Sequence, residues 1–146
     1  MILYLDTSAL LKKYFKEDGS TDLIGLWKES KAIVTSSVTY AESTASIYRK
    51  KREVGDIDGG IFKSVFDRFQ KDWKSFIRVD VNDDLNEAID KLVAAHPLRG
   101  FDAIHLASAL VVHETVAEEF LFACYDKKLS KAAKKEGLIT HPENID

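Results

Sequence analysis

The sequence predicts an α/β fold in which helices cover both faces of a mostly parallel central sheet of four to five strands. Short apolar runs that suit buried strands alternate with longer segments whose apolar residues recur at helical spacing, and this alternation is typical of parallel sheets. The chain has 146 residues, of which 45% are hydrophobic and only 2 are proline, and this composition favours a single compact domain spanning residues 1–146.

The first half of the chain predicts two strands and three helices. The first apolar run ends at Asp6, as a buried strand would. A helical period follows each predicted strand, and the second of these helices ends in a basic run with Gly55 beyond it as a stop signal. The predicted elements are a strand at 2–5, a helix at 6–15, a strand at 32–35, a helix through Ala41, Ala45 and Tyr48 to 49–52, and a helix that opens at Gly59 and carries Ile61, Val65, Phe66, Phe69 and Trp73 on its apolar stripe.

The second half alternates strands and helices again. Pro97 and Gly100 interrupt the chain between two predicted helices. The helix that follows Phe101 is the most apolar of the sequence, and we expect it to lie in the core. The predicted elements are a strand at 77–81, a helix at about 84–95, the apolar helix after Phe101, a strand at 120–125, a short basic helix that closes at Gly137, and a strand at 138–140.

Four acidic residues stand where an apolar strand should stop or a helix should start: Asp6, Glu42, Asp102 and Asp126. Strand ends and helix starts from distant parts of an α/β chain meet at one edge of the sheet, so we expect these four carboxylates to lie together. They would repel one another unless a positive charge lay among them. Mg²⁺ or Mn²⁺ is the kind of cation that carboxylate oxygens favour. The sequence therefore predicts a metal-dependent nuclease.

Each acid taken alone also has a purely structural explanation. Asp6 could cap the first helix with its side-chain oxygen. Thr39 and Glu42 match the spacing of a capping box, in which the glutamate reaches back to the backbone of the threonine. Asp102 and Asp126 suit the positive end of a helix dipole. Four independent caps, brought to one end of the sheet by the fold alone, are therefore the alternative to a metal site.

Two of the placements favour the shared site. Glu42 is predicted to lie about one turn inside its helix and to face the same way as Ala41 and Ala45, which makes it a candidate inward-pointing acid. Asp102 opens the most apolar helix of the chain, where an unpaired carboxylate would be costly to bury.

Charge and composition limit the other functional classes. The net charge is −3, and removing the four candidate acids leaves +1, so composition neither favours nor excludes a nucleic-acid partner. The single cysteine, Cys124, excludes an internal disulfide and favours a reducing compartment. No signal-peptide pattern is present, and no run reaches the roughly 18–20 apolar residues that a membrane helix needs. We expect a cytoplasmic protein with no membrane partner.

Four stretches of the chain resemble the PIN-domain ribonucleases, and most of all the VapC-type toxins of prokaryotic toxin–antitoxin pairs. They are ILYLDTSALLKKYF, SSVTYAES, LRGFDAIHLASAL and FACYDKKLSKAAKKEGL, in the order that the family shows. The resemblance covers essentially the whole chain, and DAIHLASAL is its most specific part. It implies a PIN-like three-layer α/β/α fold. It also implies the site residues, with four acids that bind metal and act in catalysis and two auxiliary hydroxyls beside them: Asp6, Glu42, Asp102 and Asp126, with Thr7 and Ser8.

The resemblance further implies a reaction and partners. These are an Mg²⁺ or Mn²⁺ cofactor, single-stranded or looped RNA cleaved to a 5′-phosphate and a 3′-hydroxyl, a cognate antitoxin protein that covers the active-site groove, and a homodimer. One position departs from the pattern, because Cys124 stands where the family usually has Thr or Ser two residues before its fourth acid. A thiol is a poor hydrogen-bond donor and a soft ligand. Asp126 is therefore the least supported of the four acids, and Cys124 itself is interpreted as a small buried strand residue.

Positive side chains near the acids are candidates for phosphate contact. Arg99 and Lys127 flank two of the acids and are the better candidates, whereas the basic run 49–52 suits the negative end of a helix dipole. His105 follows Asp102 by one helical turn, and we interpret it as a hydrogen-bonded core histidine.

Two other functions are compatible with the sequence. The first is a catalytically inactive PIN-like module that binds RNA or protein, which the Cys124 departure supports. The second is a phosphatase that uses Asp6 as nucleophile. Such enzymes usually need another acid close behind the first, and Thr7, Ser8 and Ala9 offer none.

Overall fold

A computed structural model describes residues 1–55 and 59–145 of the chain. Five strands and seven α-helices lie within these residues. In chain order they are β1 (Ile2–Leu5), α1 (Thr7–Leu11), α2 (Ser20–Glu29), β2 (Ala32–Ser36), α3 (Val38–Val54), α4 (Gly60–Ser75), β3 (Ile77–Val79), a 3₁₀ turn (Asp83–Leu85), α5 (Asn86–Ala95), α6 (Gly100–His113), β4 (Phe120–Ala123), α7 (Lys127–Lys135) and β5 (Ile139–His141).

The five strands form one sheet in the order β3-β2-β1-β4-β5, and every pair in it is parallel. β1 lies at the centre, with Leu3 paired to Ile33 of β2 on one side and to Leu121 of β4 on the other. The predicted fold class, a mostly parallel sheet of four to five strands between helical layers, is confirmed.

Alternation of side chains along the strands builds a separate core on each face of the sheet. Ile2 and Tyr4 of β1 pack with Phe122 of β4 on one face, and Leu3 and Leu5 pack on the other. The first core is closed by α5, α6 and α7 through Leu92, Leu106 and Leu129. The second core is closed by α1 to α4 through Leu10, Leu23, Ile47 and Phe69. Nearly continuous apolar strands are thus explained by burial on both faces.

The strand order creates a crevice beside the central strand. The chain runs from β1 outward to β2 and β3, then returns to place β4 on the opposite side of β1. In open parallel sheets, ligands bind outside the carboxyl ends of the strands at such a reversal. Asp6 directly follows β1, and its backbone N–H donates to the carbonyl of Ala123, the last residue of β4, at 3.1 Å.

Several element boundaries differ from the sequence prediction. Helix α2 (Ser20–Glu29) was not predicted, and α1 ends at Leu11 rather than near residue 15. Gly19 precedes α2 with a φ of 92°, and a Cβ there would lie 2.9 Å from the ring of Tyr125. The positive φ and the close approach of Tyr125 both explain why position 19, directly before α2, is a glycine. Strands β3 and β4 each end two residues earlier than predicted, at Val79 and Ala123.

The buried face of α3 also differs from the prediction. The side chains that point inward are Thr39, Ser43 and Ile47, whereas Ala41 and Ala45 are exposed. Hydrophobicity alone gave the wrong face because Thr39 is buried with a partner, its hydroxyl lying 2.7 Å from that of Thr35. On α4, similarly, Val65 and Phe69 are buried as predicted, but the stripe continues through Phe62 and leaves Ile61 exposed. None of the helices in residues 1–55 and 59–145 is long and apolar enough to cross a membrane.

Candidate active site

Asp6 lies at the end of the central strand and caps α1. It is 6% exposed, and its Oδ1 accepts hydrogen bonds from the Ala9 backbone N–H at 2.9 Å and from the Ser8 hydroxyl at 2.7 Å. Oδ2 has no hydrogen bond to any described residue. Capping therefore uses one oxygen and leaves the other available, so the structural and functional explanations of Asp6 are compatible.

Burial makes the charged form of Asp6 unfavourable. Desolvation raises the pKa of this carboxyl to about 6, against the opposing effects of the His105 ring and of the hydrogen bonds from Ala9 and Ser8. The nearby charge of Glu42 raises the pKa further. A buried carboxylate with a second carboxylate close by gains more from a cation than an exposed one does, because the interaction is less screened.

Glu42 projects from α3 toward the same edge and is held through a single oxygen. Its Oε1 accepts from the Thr7 hydroxyl at 2.7 Å and lies 2.8 Å from His105 Nε2, whereas Oε2 has no hydrogen bond to a described residue. Burial by itself would raise the pKa of Glu42, but the bonds from His105 and Thr7 and the charges of His105 and Arg99 outweigh it, and the pKa is lowered. The capping-box explanation was wrong, since α3 begins at Val38 and the Glu42 carboxylate bonds to side chains of α1 and α6 instead of the Thr39 backbone.

His105 joins Glu42 to the interior of the protein. Its Nδ1 lies 3.0 Å from the hydroxyl of Tyr4, and both residues are buried. Because the carboxylate can only accept, Nε2 carries the proton in this contact, and in the neutral ring Nδ1 then accepts from Tyr4. Burial, followed by the charge of Asp6, raises the pKa of Tyr4 well above its usual value, which keeps its hydroxyl a donor. The predicted hydrogen-bonded core histidine is confirmed, but its partner in the site was not predicted.

Asp102 and Asp126 share an open cleft, whose lining does not include Asp6 or Glu42. Asp102 lies in the first turn of α6, with Oδ2 3.4 Å from Arg99 Nε. Asp126 caps α7, and its Oδ1 accepts from the Leu129 backbone N–H at 2.8 Å. The cleft has a volume of about 510 Å³, and its other lining residues are Pro97, Arg99, Tyr125, Lys127 and Lys128.

Cys124 lies within the electrostatic field of three of the acids. Burial raises the pKa of its thiol well above the usual range, and the charges of Asp6, Asp126 and Asp102 add to the effect. The side chain is 1% exposed, and its sulfur lies 3.8 Å from the Asp126 backbone carbonyl. The interpretation as a small buried residue is confirmed.

The two auxiliary hydroxyls tie the acids to the scaffold. Thr7 bonds to Glu42, so it connects α1 to α3. Ser8 donates to Asp6 and accepts from the Tyr125 backbone N–H at 3.0 Å, so it connects α1 to the chain just beyond β4. These contacts fix the orientation of both carboxylates from outside the cleft.

The donor set suits a hard divalent cation. Each of the four acids has one carboxylate oxygen in a hydrogen bond or ion pair and one with no partner among the described residues. Within residues 1–55 and 59–145, no three His, Cys, Asp or Glu side chains are grouped closely enough to enclose a metal ion. A cation here would accordingly be held by one or two direct carboxylates with water completing its shell, which is the coordination that Mg²⁺ adopts in proteins.

The positive side chains near the site divide into two groups. Lys12 and Lys13 are paired internally, with Glu17 at 3.3 Å and Asp72 at 2.6 Å respectively. Arg99 lies on the cleft with its side chain 84% exposed, and Lys127 lies there too. The structure therefore brings the two predicted phosphate candidates to the cleft.

Comparison with known proteins gives a family and a fold. A family model described as PIN domain matches residues 3–135. Two proteins of Mycobacterium tuberculosis, Ribonuclease VapC45 of strain CDC 1551 / Oshkosh and Ribonuclease VapC49 of strain ATCC 25618 / H37Rv, are each 29% identical to this chain over 149 residues, covering 99% of this chain and 98% of theirs. A chain in the crystal structure of VapBC2 from Rickettsia felis, bound to a DNA fragment from their promoter, matches with a TM-score of 0.65 at 15% identity, covering 97% of this chain and 98% of that one.

Proposed function

This chain belongs to the PIN domain family, and on that premise we propose that it is a metal-dependent endoribonuclease, the toxin of a type II toxin–antitoxin pair. The observation that carries the proposal is the arrangement of Asp6, Glu42, Asp102 and Asp126, each with one oxygen in a hydrogen bond or ion pair and one with no partner among the described residues. The names of the two mycobacterial relatives support ribonuclease activity.

In this proposal the protein positions charge and contributes little covalent chemistry. A bound Mg²⁺ or Mn²⁺ would supply an activated water and would stabilise the negative charge on the departing oxygen. Asp6, held by Ser8 and the first turn of α1, would be the central ligand. Glu42, which Thr7 and His105 orient, would be a second ligand, and Asp102 and Asp126 would contribute from the cleft wall. Arg99 and Lys127 would contact the phosphates of the substrate, since both line the cleft that Asp102 and Asp126 share.

Partners follow from the same family resemblance. An intracellular ribonuclease needs an inhibitor, and we propose a cognate antitoxin that covers the cleft, a homodimeric assembly and a cytoplasmic location. The fold relative from Rickettsia felis, which was solved as a VapBC2 assembly, supports the antitoxin.

The test is cleavage of a mixed pool of single-stranded RNA. Purified protein, free of any partner, is incubated with Mg²⁺ or Mn²⁺ and with a chelator, and the Asp6→Asn variant is assayed beside it. Asp90→Asn, at an exposed position on α5, is the matched control. We expect cleavage that requires the cation, is lost in Asp6→Asn and persists in Asp90→Asn. Cleavage that survives both chelation and Asp6→Asn would refute the proposal, and metal binding without cleavage would favour the inactive binding module.

A further inference from the structure

Helix α7 concentrates positive charge on one face. Five of its nine residues are lysine, and none is acidic. At about 100° per residue the five lysines fall within an arc of about 120°, and all five are exposed. The α7 lysine face consists of Lys127, Lys128, Lys131, Lys134 and Lys135.

The lysines of this face lack acidic partners within the described residues. Elsewhere on the protein, Lys13, Lys31 and Lys63 form ion pairs with Asp72, Glu118 and Asp67. No lysine of the α7 lysine face forms an ion pair with any residue in 1–55 or 59–145, although Lys134 contacts the backbone carbonyl of Glu143. The face is therefore uncompensated positive charge on a protein whose net charge is −3.

The helix dipole explains only part of this face. Lys134 and Lys135 lie in the last turn, where the negative end of the dipole favours cations. Lys127 and Lys128 lie in the first turn, where the positive end disfavours them. Placing lysines at both ends is therefore not explained by helix stability, and it indicates a ligand of negative charge.

The face continues from the cleft that holds Asp102 and Asp126. Lys127 and Lys128 line that cleft, and a second cleft of about 210 Å³ follows along α7. Its lining residues are Lys127, Ser130, Lys131, Lys134, Asn144 and Ile145. Ser130 is 3% exposed, and its hydroxyl has no hydrogen-bond partner among the described residues. The buried hydroxyls of Ser43 and Ser108 also lack partners among the described residues, so the three lysines of this cleft, more than its serine, favour an anionic ligand here.

We propose that the α7 lysine face is the track along which the backbone of single-stranded RNA reaches the acidic cleft. This inference rests on the proposed nuclease function and specifies where its substrate binds. About 12 Å of helix separates the first and last lysines, so the contacts extend beyond the nucleotides at the cleavage site. An anionic membrane is a poor alternative, because the apolar residues Leu129, Ala132 and Ala133 are already buried in the core and are not available for insertion.

Binding is best measured without cleavage. The Asp6→Asn protein is titrated into a short fluorescein-labelled single-stranded RNA, without divalent cations, from about 50 to 200 mM KCl. The test variant adds Lys131→Gln, Lys134→Gln and Lys135→Gln, three positions that lie outside the acidic cleft. The matched control adds Lys28→Gln, Lys71→Gln and Lys74→Gln on α2 and α4, which are exposed, form no ion pair with a described residue and change the net charge equally.

We expect the test variant to bind RNA at least about tenfold more weakly at the lowest salt. Its slope of log affinity against log salt should be shallower by about 2, since each phosphate contact to a single strand contributes about 0.7. The control should change the slope by less than one such contact, and arginine at positions 131, 134 and 135 should restore binding. With Asp6 intact, the glutamine variant should raise KM for RNA more than it lowers kcat.

If the two triple variants lost RNA affinity equally, or if neither lost any, the proposal that RNA binds along α7 would be refuted. A test variant that loses affinity for poly-glutamate but not for RNA would also refute it, since that outcome would assign the face to an acidic protein partner. The test of RNA binding along α7 can fail or succeed independently of the nuclease proposal. A protein that cleaves no RNA refutes the nuclease while its RNA binding still reports on α7, and full cleavage with unchanged KM in the test variant refutes the track alone. Circular dichroism and a thermal melt verify that each variant is folded.

Discussion

Replacing Asp6 with asparagine is expected to stabilise the metal-free protein at neutral pH, although we also expect it to abolish the proposed cleavage. Burial raises the pKa of Asp6 from 3.8 to about 6, and one pKa unit corresponds to 1.36 kcal/mol. Ionised Asp6 therefore lowers the free energy of unfolding by about 3 kcal/mol once the pH exceeds 6. Asparagine keeps the cap, because its side-chain oxygen can still accept from Ala9 and Ser8, and it carries no charge to bury.

The free energy of unfolding of the unmodified protein should fall as the pH rises, because of Asp6. Between about pH 4 and pH 6 the unfolded chain has lost the Asp6 proton while the folded protein still holds it, so the stability of the unmodified protein falls as the pH rises through this window. The asparagine variant lacks this contribution. The difference between the two proteins should be small near pH 4, grow to pH 6 and then stay constant at about 1–3 kcal/mol, the lower values allowing for the weaker neutral hydrogen bonds.

Urea denaturation followed by circular dichroism, in a chelating buffer from pH 4 to pH 8, measures this difference. Glu42→Gln is the informative counterpart, because the pKa of Glu42 is lowered and its ionised form is stabilised by the fold. That variant should lose stability at neutral pH, and the loss should disappear as the pH falls through the folded pKa of Glu42. Adding Mg²⁺ should stabilise the unmodified protein more than Asp6→Asn. An Asp6→Asn protein no more stable than the original at pH 7.5, or a difference that does not depend on pH, would refute the argument from burial.

Three further predictions concern the residues around the acids. His105→Ala should weaken Mn²⁺ binding, measured by calorimetric titration, by about 10–100-fold because Glu42 loses one of its two anchors; His113→Ala on the same helix is the control, and equal affinities would contradict the positioning role. Tyr4→Phe should lower the free energy of unfolding by about 1–3 kcal/mol, measured by urea denaturation, because His105 Nδ1 loses its buried partner; an unchanged stability would mean that the bond contributes nothing. Cys124 should resist iodoacetamide at pH 7.5 in the folded protein and react readily in urea, because burial raises the pKa of its thiol and covers it; mass spectrometry that finds rapid labelling of the native protein would refute this.

The sequence determined the features that depend on local patterns. The apolar run of β1 and its abrupt end at Asp6 were predicted because a strand buried on both faces must be apolar throughout. The alternation of strands and helices then predicted a parallel sheet, and a parallel sheet brings the carboxyl ends of its strands to one edge. For this reason Asp6 and Asp126 could be assigned to one edge of the sheet from the sequence alone.

Helix orientation was harder to predict from the sequence. Ala41 and Ala45 looked like the inner face of α3, but Thr39 and Ser43 occupy it, since a buried hydroxyl with a hydrogen-bond partner is as acceptable as an apolar group. Helix α2 was missed although Leu23, Leu26 and Trp27 recur at helical spacing, and Gly25 in its middle lowers the helix propensity of this segment.

Only the tertiary structure decided how the site is held. The bond between His105 and Glu42 spans 63 residues, and that between Tyr4 and His105 spans 101. No local pattern encodes such contacts, because they depend on the distance and angle at which β1, α3 and α6 pack. The same holds for the α7 lysine face, whose composition is visible in the sequence but whose junction with the acidic cleft is not. Residue types and their spacing specify which elements form, whereas hydrogen bonds between distant elements depend on positions accurate to a fraction of an ångström, which the packing of both cores sets together.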